Sequence, residues 1–259
     1  MKPAPVALSV GPFRLDGGAM FSVVPRTFWE KLYKVEEDNR IVLGLNPVLI
    51  QDKKRIILVD AGAPESGEKL LNHLSKRGIR PAAVTDLVFT HLHYDHCGGA
   101  FPIFDNGSVI PLFPDAAVHV ARKELEDALN PDERTRHFYR TEIASYISRT
   151  GRASLIDQLL QLTDDVEIVP APGHTMGHLA VWVFRDRQYL IPGDLIPTRH
   201  HLNIHYMTSF DENTRLNIQT KKELLARAAN RPTVVFFYHE PSSPAGEIIQ
   251  DGNRFHIRN

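Results

Sequence analysis

The chain has 259 residues, enough to bury a substantial core in one large domain or two small ones. Its 30 basic and 31 acidic side chains nearly cancel, which argues against a nucleic acid or an anionic membrane surface as partner. No stretch approaches the roughly 20 apolar residues that a membrane span needs, and the single cysteine, Cys97, excludes an internal disulfide. We therefore expect a cytoplasmic protein that forms a single domain over residues 1–259 and acts on a small molecule.

The first half of the sequence predicts short strands and one helix. Residues 40–50 are typical of a strand with a proline interruption, and the apolar run 55–59 is typical of a buried strand. Residues 66–77 have the apolar spacing of a helix, and Gly78 follows as a stop signal. Residues 86–90 predict a further strand, which runs directly into a histidine-rich segment.

The second half predicts a helical stretch and then alternating strands and helices. Residues 122–162 are expected to be mostly helical, because apolar residues recur there at helical spacing. Further strands are expected at residues 166–169, 178–184, 188–191 and 234–237. A long helix is expected over residues 211–229, and a hairpin over residues 247–257 with Asp251-Gly252 as its turn. This order fits the α+β class and a four-layer αββα sandwich, two packed sheets with helices outside.

Four side chains of metal-ligand type lie within six residues, directly after the strand at 86–90. They are His91, His93, Asp95 and His96. Imidazole nitrogen and carboxylate oxygen are ligands that zinc prefers. Since the end of a strand can turn alternate side chains to one side, His91 and His93 can share one ion. Asp95 and His96 lie on the following turn and can face a second ion, the two-metal arrangement used in hydrolysis.

Three later segments each place one more ligand-type residue where a predicted strand ends. These residues are His174, Asp194 and His239. Loops at strand ends collect at the edge of a sheet, where active sites commonly lie. We therefore expect a metal site at one edge of the two sheets, built from all seven residues.

The order of these motifs resembles the metallo-β-lactamase superfamily: His-x-His-x-Asp-His, then Gly-His-Thr, Gly-Asp and a late His. The likeness extends from Asp60, at the end of an early strand, to His239. It implies the αββα sandwich and two metal ions per chain. Zinc is the metal expected, with iron, manganese or cobalt as other options.

The resemblance also implies a role for each ligand. Each ion would have three ligands of its own: His91, His93 and His174 for one, and Asp95, His96 and His239 for the other. Asp194 would bridge the two ions, and Asp60 would orient a ligand histidine from outside the coordination sphere. A hydroxide held between the ions would attack a carbonyl carbon, with Asp95 or Asp194 as the catalytic residue that passes a proton to the leaving oxygen.

Within the superfamily, the sequence is most similar to the lactonase-like branch, which includes quorum-quenching N-acyl-homoserine lactonases and methyl-parathion-hydrolase-type enzymes. The segments that carry this likeness are residues 15–21, 29–33, 193–198 and 238–241. They favour the opening of an N-acyl-homoserine lactone or a related ester. Pro197 is a departure, because the best-known lactonases carry there a Tyr that contacts the lactone.

Three alternative activities remain open. A phosphotriesterase would use the same hydroxide on phosphorus, a glyoxalase II-like enzyme would cleave a glutathione thioester, and a mononuclear-iron persulfide dioxygenase would need one metal only. Candidate substrate contacts are His200, His201, Tyr206, Met20 and Phe21. Met20 and Phe21 are equally consistent with core packing or a subunit interface, so a homodimer is a further option.

Overall fold

Strands and helices alternate throughout the computed structural model, which describes residues 2–52, 54–252 and 254–258. Within these ranges the strands are β1 (Val6–Ala7), β2 (Phe13–Asp16), β3 (Arg40–Leu43), β4 (Val48–Gln51), β5 (Ile56–Val59), β6 (Asp86–Val88), β7 (Ala117–Ala121), β8 (Ala153–Ile156), β9 (Leu160–Thr163), β10 (Val166–Pro170), β11 (Leu179–Phe184), β12 (Gln188–Ile191), β13 (Thr233–Phe236), β14 (Ala245–Asp251) and β15 (Arg254–Ile257). The α-helices are α1 (Gly17–Phe21), α2 (Arg26–Trp29), α3 (Gly67–Ser75), α4 (Tyr94–Cys97), α5 (Arg122–Leu129), α6 (Thr141–Arg149) and α7 (Thr214–Ala229). Short 3-10 turns cover Pro64–Ser66, Pro81–Ala83, Gly98–Ala100, Gly193–Leu195 and Arg199–Leu202.

Two sheets pack face to face. The first sheet has the strand order β1-β4-β5-β6-β7-β8, and the second has the order β15-β14-β13-β12-β11-β10-β9. Alternate side chains of both sheets point into the layer between them, among them Val59 and Val88 from the first sheet and Val181 and Ile191 from the second. Because successive side chains of a strand point to opposite faces, the remaining residues of the same strands are free to pack against helices.

Helices cover the outer face of each sheet. Leu70 of α3, Leu125 of α5 and Ile147 of α6 belong to one buried cluster with outward-facing residues of the first sheet. Leu225 of α7 packs with Trp182 of the second sheet. The predicted four-layer αββα sandwich is therefore confirmed.

A small N-terminal unit stands beside the sandwich. Strands β2 and β3 pair with each other, and α1 and α2 pack on them through Met20, Phe21 and Trp29. Asp16 caps α1 by accepting a hydrogen bond from the Ala19 amide at 2.8 Å. Phe21 stacks on Trp29 with 5.8 Å between ring centroids, and this pair packs α1 against α2 in the core of the unit.

The register of the parallel strands brings several carboxyl ends to one edge. In the first sheet, Val59 at the end of β5 pairs with Val88 at the end of β6. In the second sheet, β12 and β13 are also parallel, so the residues after Ile191 and Phe236 emerge side by side. The ligand-type residues predicted to follow strands are placed by this arrangement.

The prediction of a mostly helical stretch to residue 162 was wrong beyond Arg149. Gly151 has a φ of +65°, and the chain then forms β8 at the edge of the first sheet and β9 at the edge of the second. The large apolar residues of this stretch are Leu155, Ile156, Leu159, Leu160 and Leu162. Short apolar runs fit both the helical and the strand period, and pairing with β7 and β10 decided in favour of strands.

The remaining predicted elements are confirmed, with shifted ends. The long helix begins at Thr214 and not at Asp211, because the Asn213 side chain accepts a hydrogen bond from the Leu216 amide and caps it. The C-terminal hairpin forms with Gly252 in its turn at a φ of +55°. Among the described residues, no helix combines the length and the apolar character needed to cross a membrane.

Candidate metal centre

The seven predicted ligands lie together where strands of both sheets end. His91 and His93 follow β6, and α4 carries Asp95 and His96. The other three come from the second sheet: His174 from the β10–β11 loop, Asp194 from the 3-10 turn after β12, and His239 from the segment after β13. None of the seven is more than 8% exposed to solvent. Such a concentration of buried polar side chains needs a compensating partner.

The ligand atoms form three overlapping groups, and within each group they lie within 4.8 Å of one another. The groups are His91, His93 and His174; His91, His96 and Asp194; and Asp95, His96 and His239. We call the first the tri-histidine site and the third the Asp-His-His site. These two match the two sets of three ligands that the family resemblance implies, and the second group connects them.

Asp194 lies between the two sites, in the position that a bridging ligand requires. Its Oδ1 is 3.3 Å from His96 Nε2, and its Oδ2 is 3.3 Å from His239 Nε2. The same Oδ2 lies 3.6 Å from His174 Nε2 in the tri-histidine site. The two oxygens together therefore reach ligands of both sites, so this carboxylate can serve two cations at once.

The backbone around Asp194 is tightly confined. Gly193 has a φ of +54°, and a Cβ at this position would come within 2.8 Å of Thr90 Cβ and 2.7 Å of His178 Nε2. The amide of Asp194 donates a hydrogen bond to His178 Nε2 at 3.1 Å. His178 therefore holds the Asp194 carboxylate in place through the backbone of that residue.

Unpartnered atoms at the centre fit metal ions. Within the described part of the chain, His91 Nε2, His96 Nε2 and Asp194 Oδ1 are buried and have no hydrogen-bond partner. His93 Nδ1 and His174 Nε2 face each other at 3.3 Å. Imidazole nitrogens and carboxylate oxygens are the donors that zinc and similar divalent ions select. The donor set and its geometry therefore suit two divalent ions.

Asp60 orients one ligand of the Asp-His-His site, as the resemblance implies. His96 Nδ1 donates to Asp60 Oδ2 at 3.0 Å, which leaves Nε2 directed to the centre. Asp60 also accepts hydrogen bonds from the amide and the hydroxyl of Thr90 at 2.9 and 2.8 Å. Its φ of +58° is a left-handed conformation that aspartate tolerates better than most residues.

Asp211 orients a ligand of the tri-histidine site in the same way, and no sequence motif marks this residue. His174 Nδ1 donates to Asp211 Oδ1 at 2.8 Å. Asp211 is itself fixed, because the amide and the hydroxyl of Thr208 donate to its two oxygens at 3.1 and 3.0 Å. His239 is oriented by backbone, since its Nδ1 donates to the Gly44 carbonyl at 3.0 Å.

The electrostatic surroundings favour the ligating form of two histidines and of Asp194. Burial, reinforced by neighbouring histidines, holds the pKa of His91 and that of His93 well below the usual histidine value. Burial alone would raise the pKa of Asp194, but His239 and His96 hold it well below the usual aspartate value. Neutral imidazoles and an ionised carboxylate are the forms that bind cations. Burial would lower the pKa of His96, His174 and His239, but neighbouring carboxylates raise it, so a cation that binds there displaces a proton.

A cleft opens over the centre. Besides five of the predicted ligands, its walls are Phe13, Leu15, Met20, Tyr94, Phe138, Thr208 and Phe210. Phe138 meets Phe210 edge to face with 5.5 Å between centroids, and Phe13 stacks on the ring of His239 at 5.8 Å. No lysine or arginine is among these wall residues. The cleft therefore suits an uncharged ligand with an apolar part.

Of the five candidate substrate contacts, only Met20 lies in this cleft. Phe21 is buried against Trp29 and Tyr206 in the N-terminal unit. His200 lines a separate cleft beside Tyr33, with 5.4 Å between the two rings.

His201 lies outside the cleft for a clear physical reason. It is 1% exposed, and both of its ring nitrogens are engaged by the protein. Nδ1 pairs with the Thr198 hydroxyl at 2.8 Å, and Nε2 donates to the Met20 carbonyl at 2.9 Å. His201 therefore holds the backbone of a wall residue and does not itself reach a ligand. Pro197, the departure from the lactonase-like pattern, contacts a predicted ligand: its carbonyl accepts a hydrogen bond from the His239 amide at 2.8 Å.

Comparison with protein families and known proteins agrees with this geometry. The model of the metallo-beta-lactamase superfamily matches residues 41–239. An N-acyl homoserine lactonase from Bacillus sp. is 24% identical over 225 residues, which cover 76% of this chain and 82% of that protein.

Solved structures share the whole fold. A probable metal-dependent hydrolase from Staphylococcus aureus superposes with a TM-score of 0.85 at 23% identity, covering 99% of this chain and 97% of that one. AidC, a dizinc quorum-quenching lactonase in complex with its product, superposes with a TM-score of 0.82 at 20% identity, covering 98% and 93%. At such identities these two likenesses establish the fold.

Proposed function

Since this chain belongs to the metallo-beta-lactamase superfamily, we propose that it is a dinuclear metallohydrolase that opens lactones or related esters bearing an apolar substituent. The superfamily and the His/Asp centre support the hydrolase class. The observation that carries the substrate class is the cleft over the centre, whose wall residues outside the ligand set are mostly apolar and include no lysine or arginine. The lactonases among the similar proteins point to the same class of substrate.

We assign the metals to the tri-histidine site and the Asp-His-His site, with Asp194 shared between them, and zinc is the metal that these donors favour. When bound, such ions supply Lewis acidity, which makes hydroxide available near neutral pH and polarises a carbonyl group. Asp95 and Asp194 both line the cleft, and we assign to one of these carboxylates the transfer of a proton to the leaving oxygen. In a lactone that oxygen stays attached, so the product is a hydroxy acid.

The cleft walls supply binding and exclude water. Phe13, Met20, Phe138 and Phe210 offer apolar surface to an acyl chain, at about 25 cal/mol for each Å² removed from water. Tyr94 adds a phenol hydroxyl to the same wall. We propose that this hydroxyl donates to the polar end of the substrate and substitutes for the Tyr that Pro197 replaces. The Arg140 guanidinium lies over the Tyr94 ring at 4.9 Å and steadies it.

We predict that the enzyme opens aliphatic or N-acyl-homoserine lactones faster than it cleaves β-lactams or glutathione thioesters. The charged glutathione carboxylates find no basic partner on the cleft walls, whereas an apolar tail finds aromatic surface. A pH-indicator assay across a lactone series, a thioester, a β-lactam and a phosphotriester measures the preference through kcat/KM.

The same panel separates the alternatives. An Asp95→Ala variant sets the background rate, because it removes one ligand from the Asp-His-His site. Lactone rates at that background, together with clear turnover of the phosphotriester, would replace the lactonase proposal by a phosphotriesterase. Turnover of the thioester alone would make the enzyme glyoxalase II-like. Either result leaves the metal assignment intact.

We predict that the zinc-loaded protein holds about two metal ions per chain, because two sets of three ligands share Asp194. Elemental analysis after zinc loading and removal of free metal gives the ratio. A mononuclear-iron persulfide dioxygenase would hold one iron and gain no second ion. Such a result would end the dinuclear hydrolase proposal, whatever substrate the panel identifies.

A further inference from the structure

Glu124 is a buried carboxylate that the proposed chemistry does not use. It lies in the first turn of α5, directly after β7, and is 0% exposed. No basic side chain lies within ion-pair distance of it in the part of the chain that the structure describes. Burial raises the pKa of its carboxyl to about 7. Burying a carboxyl group without a charge partner is costly, so its hydrogen bonds must compensate for the lost contact with water.

Those hydrogen bonds lead to residues adjacent to metal ligands. The amide of Leu92, which lies between His91 and His93, donates to Glu124 Oε1 at 2.8 Å. The hydroxyl of Thr175, the residue after His174, donates to Glu124 Oε2 at 2.6 Å. One oxygen thus contacts the ligand segment of the first sheet, and the other contacts the ligand loop of the second.

The third hydrogen bond of Glu124 comes from Tyr139, whose ring packs against a ligand histidine. The Tyr139 hydroxyl donates to Glu124 Oε1 at 3.1 Å. The ring of Tyr139 packs against the ring of His93, with 5.1 Å between centroids. The approach of the two segments is close enough that a Cβ on Gly177 would lie 2.3 Å from the Glu124 amide nitrogen. The carboxylate therefore sits in the seam between the two ligand-bearing segments.

The contacts are confined to one of the two metal sites. All three ligands of the tri-histidine site, namely His91, His93 and His174, are held through these contacts. The Asp-His-His site is held by other groups, since Asp60 orients His96 and the Gly44 carbonyl orients His239. A defect at Glu124 should therefore be felt at one site and not at the other.

We propose that Glu124 is a positioning residue for the tri-histidine site: its carboxylate ties the Leu92 segment to the Thr175 loop and sets the spacing of the three histidines. This proposal rests on one part of the proposed function, namely the presence of two metal sites. Its readout is metal affinity, so a wrong substrate assignment would leave it untouched.

The test separates the two sites by removing one of them. A His239→Ala background lacks a ligand of the Asp-His-His site and leaves the tri-histidine site, whereas a His93→Ala background does the reverse. In each background, Thr175→Val removes the hydroxyl that donates a hydrogen bond to Glu124 and keeps the shape of the side chain. Stepwise Zn²⁺ titration of chelator-stripped protein, in competition with a chromophoric chelator, gives the dissociation constant of the remaining site.

We expect Thr175→Val to weaken Zn²⁺ binding about 10–100-fold in the His239→Ala background, the usual effect of losing a partner that orients a ligand. In the His93→Ala background the change should stay within about 2-fold, since Thr175 contacts nothing in the Asp-His-His site. Asp60→Asn is the comparison variant and should weaken the Asp-His-His site more than the tri-histidine site, because Asp60 contacts His96 directly and reaches His91 only through the Thr90 hydroxyl.

A conservative variant distinguishes hydrogen bonding from charge. Glu124→Gln keeps an oxygen for the Leu92 amide and places an amide group beside the Thr175 hydroxyl, which can rotate to accept. Its affinity for Zn²⁺ should stay within about 3-fold of the parent, whereas Glu124→Leu should match or exceed the loss caused by Thr175→Val. Unchanged Zn²⁺ binding in Glu124→Leu, or equal losses in both backgrounds, would overturn the proposal. If Thr175→Val does not fold, the Glu124→Gln and Glu124→Leu pair decides the question alone.

Discussion

Replacing Asp194 by asparagine is expected to lower kcat by roughly three orders of magnitude and to loosen at least one metal ion. The carboxylate directs Oδ1 toward His96 and Oδ2 toward His239 and His174, so it serves both sites. An asparagine keeps the shape but offers one good acceptor and no negative charge. The amide group would also place a donor beside a cation, which adds repulsion to the lost ligand.

The measurement combines lactone turnover with metal content after removal of free metal. Asp105→Asn is a suitable control, because this exposed aspartate undergoes the same chemical change outside the centre. The control should keep its kcat and both ions. If Asp194→Asn retains near-wild-type kcat and two ions, Asp194 does not bridge, and the two sites must be linked by another group.

The ligands could be predicted from sequence because their signal is local. His91, His93 and His96 share one short segment after a strand, and their spacing alone indicates a metal site. The fold then brings Asp194 and His239 to the same edge, because parallel strands place their carboxyl ends side by side. For these residues, the type of side chain and the strand order both predict a metal site at the same edge of the sheets.

Apart from Asp60, which the family resemblance indicates, the residues that support the ligands could not be predicted, because their partners are distant in sequence. Asp211 orients His174 from 37 positions away, and it stood inside a predicted helix that begins only at Thr214. Glu124 lies in the first turn of a helix, where an acidic residue is usually a solvated helix-terminal charge. Only tertiary packing shows that its side chain points into the protein.

Apart from Met20, the residues of the cleft walls were missed for a related reason. Phe138 and Phe210 come from separate loops and meet only in the folded chain, so no periodicity marks them. His201 was predicted as a substrate contact because it follows Asp194 closely, yet the loop turns it inward to hold the Met20 carbonyl. Sequence proximity to a ligand is therefore weaker evidence for a substrate contact than burial and hydrogen bonding.

Removing the metals is expected to abolish turnover and to lower the melting temperature. Each ion bound at a concentration about 1,000-fold above its dissociation constant stabilises the folded state by about 4 kcal/mol. For a chain of this size that corresponds to a shift of about 8–16 °C per site. The physical reason lies in the centre itself: Asp95 and Asp194 are buried beside five histidines, and ligand atoms such as His91 Nε2 have no protein partner.

Thermal unfolding of chelator-treated and zinc-reloaded protein measures the shift, and lactone turnover follows recovery in the same samples. Asp194→Asn provides the internal comparison, because a protein that already binds metal weakly should lose less stability to the chelator. Zinc should restore both the melting temperature and turnover. If the chelator leaves the melting temperature unchanged, the buried ligands are satisfied without cations. If iron restores lactone turnover and zinc does not, the enzyme remains a hydrolase with iron as its Lewis acid, and the zinc assignment is wrong.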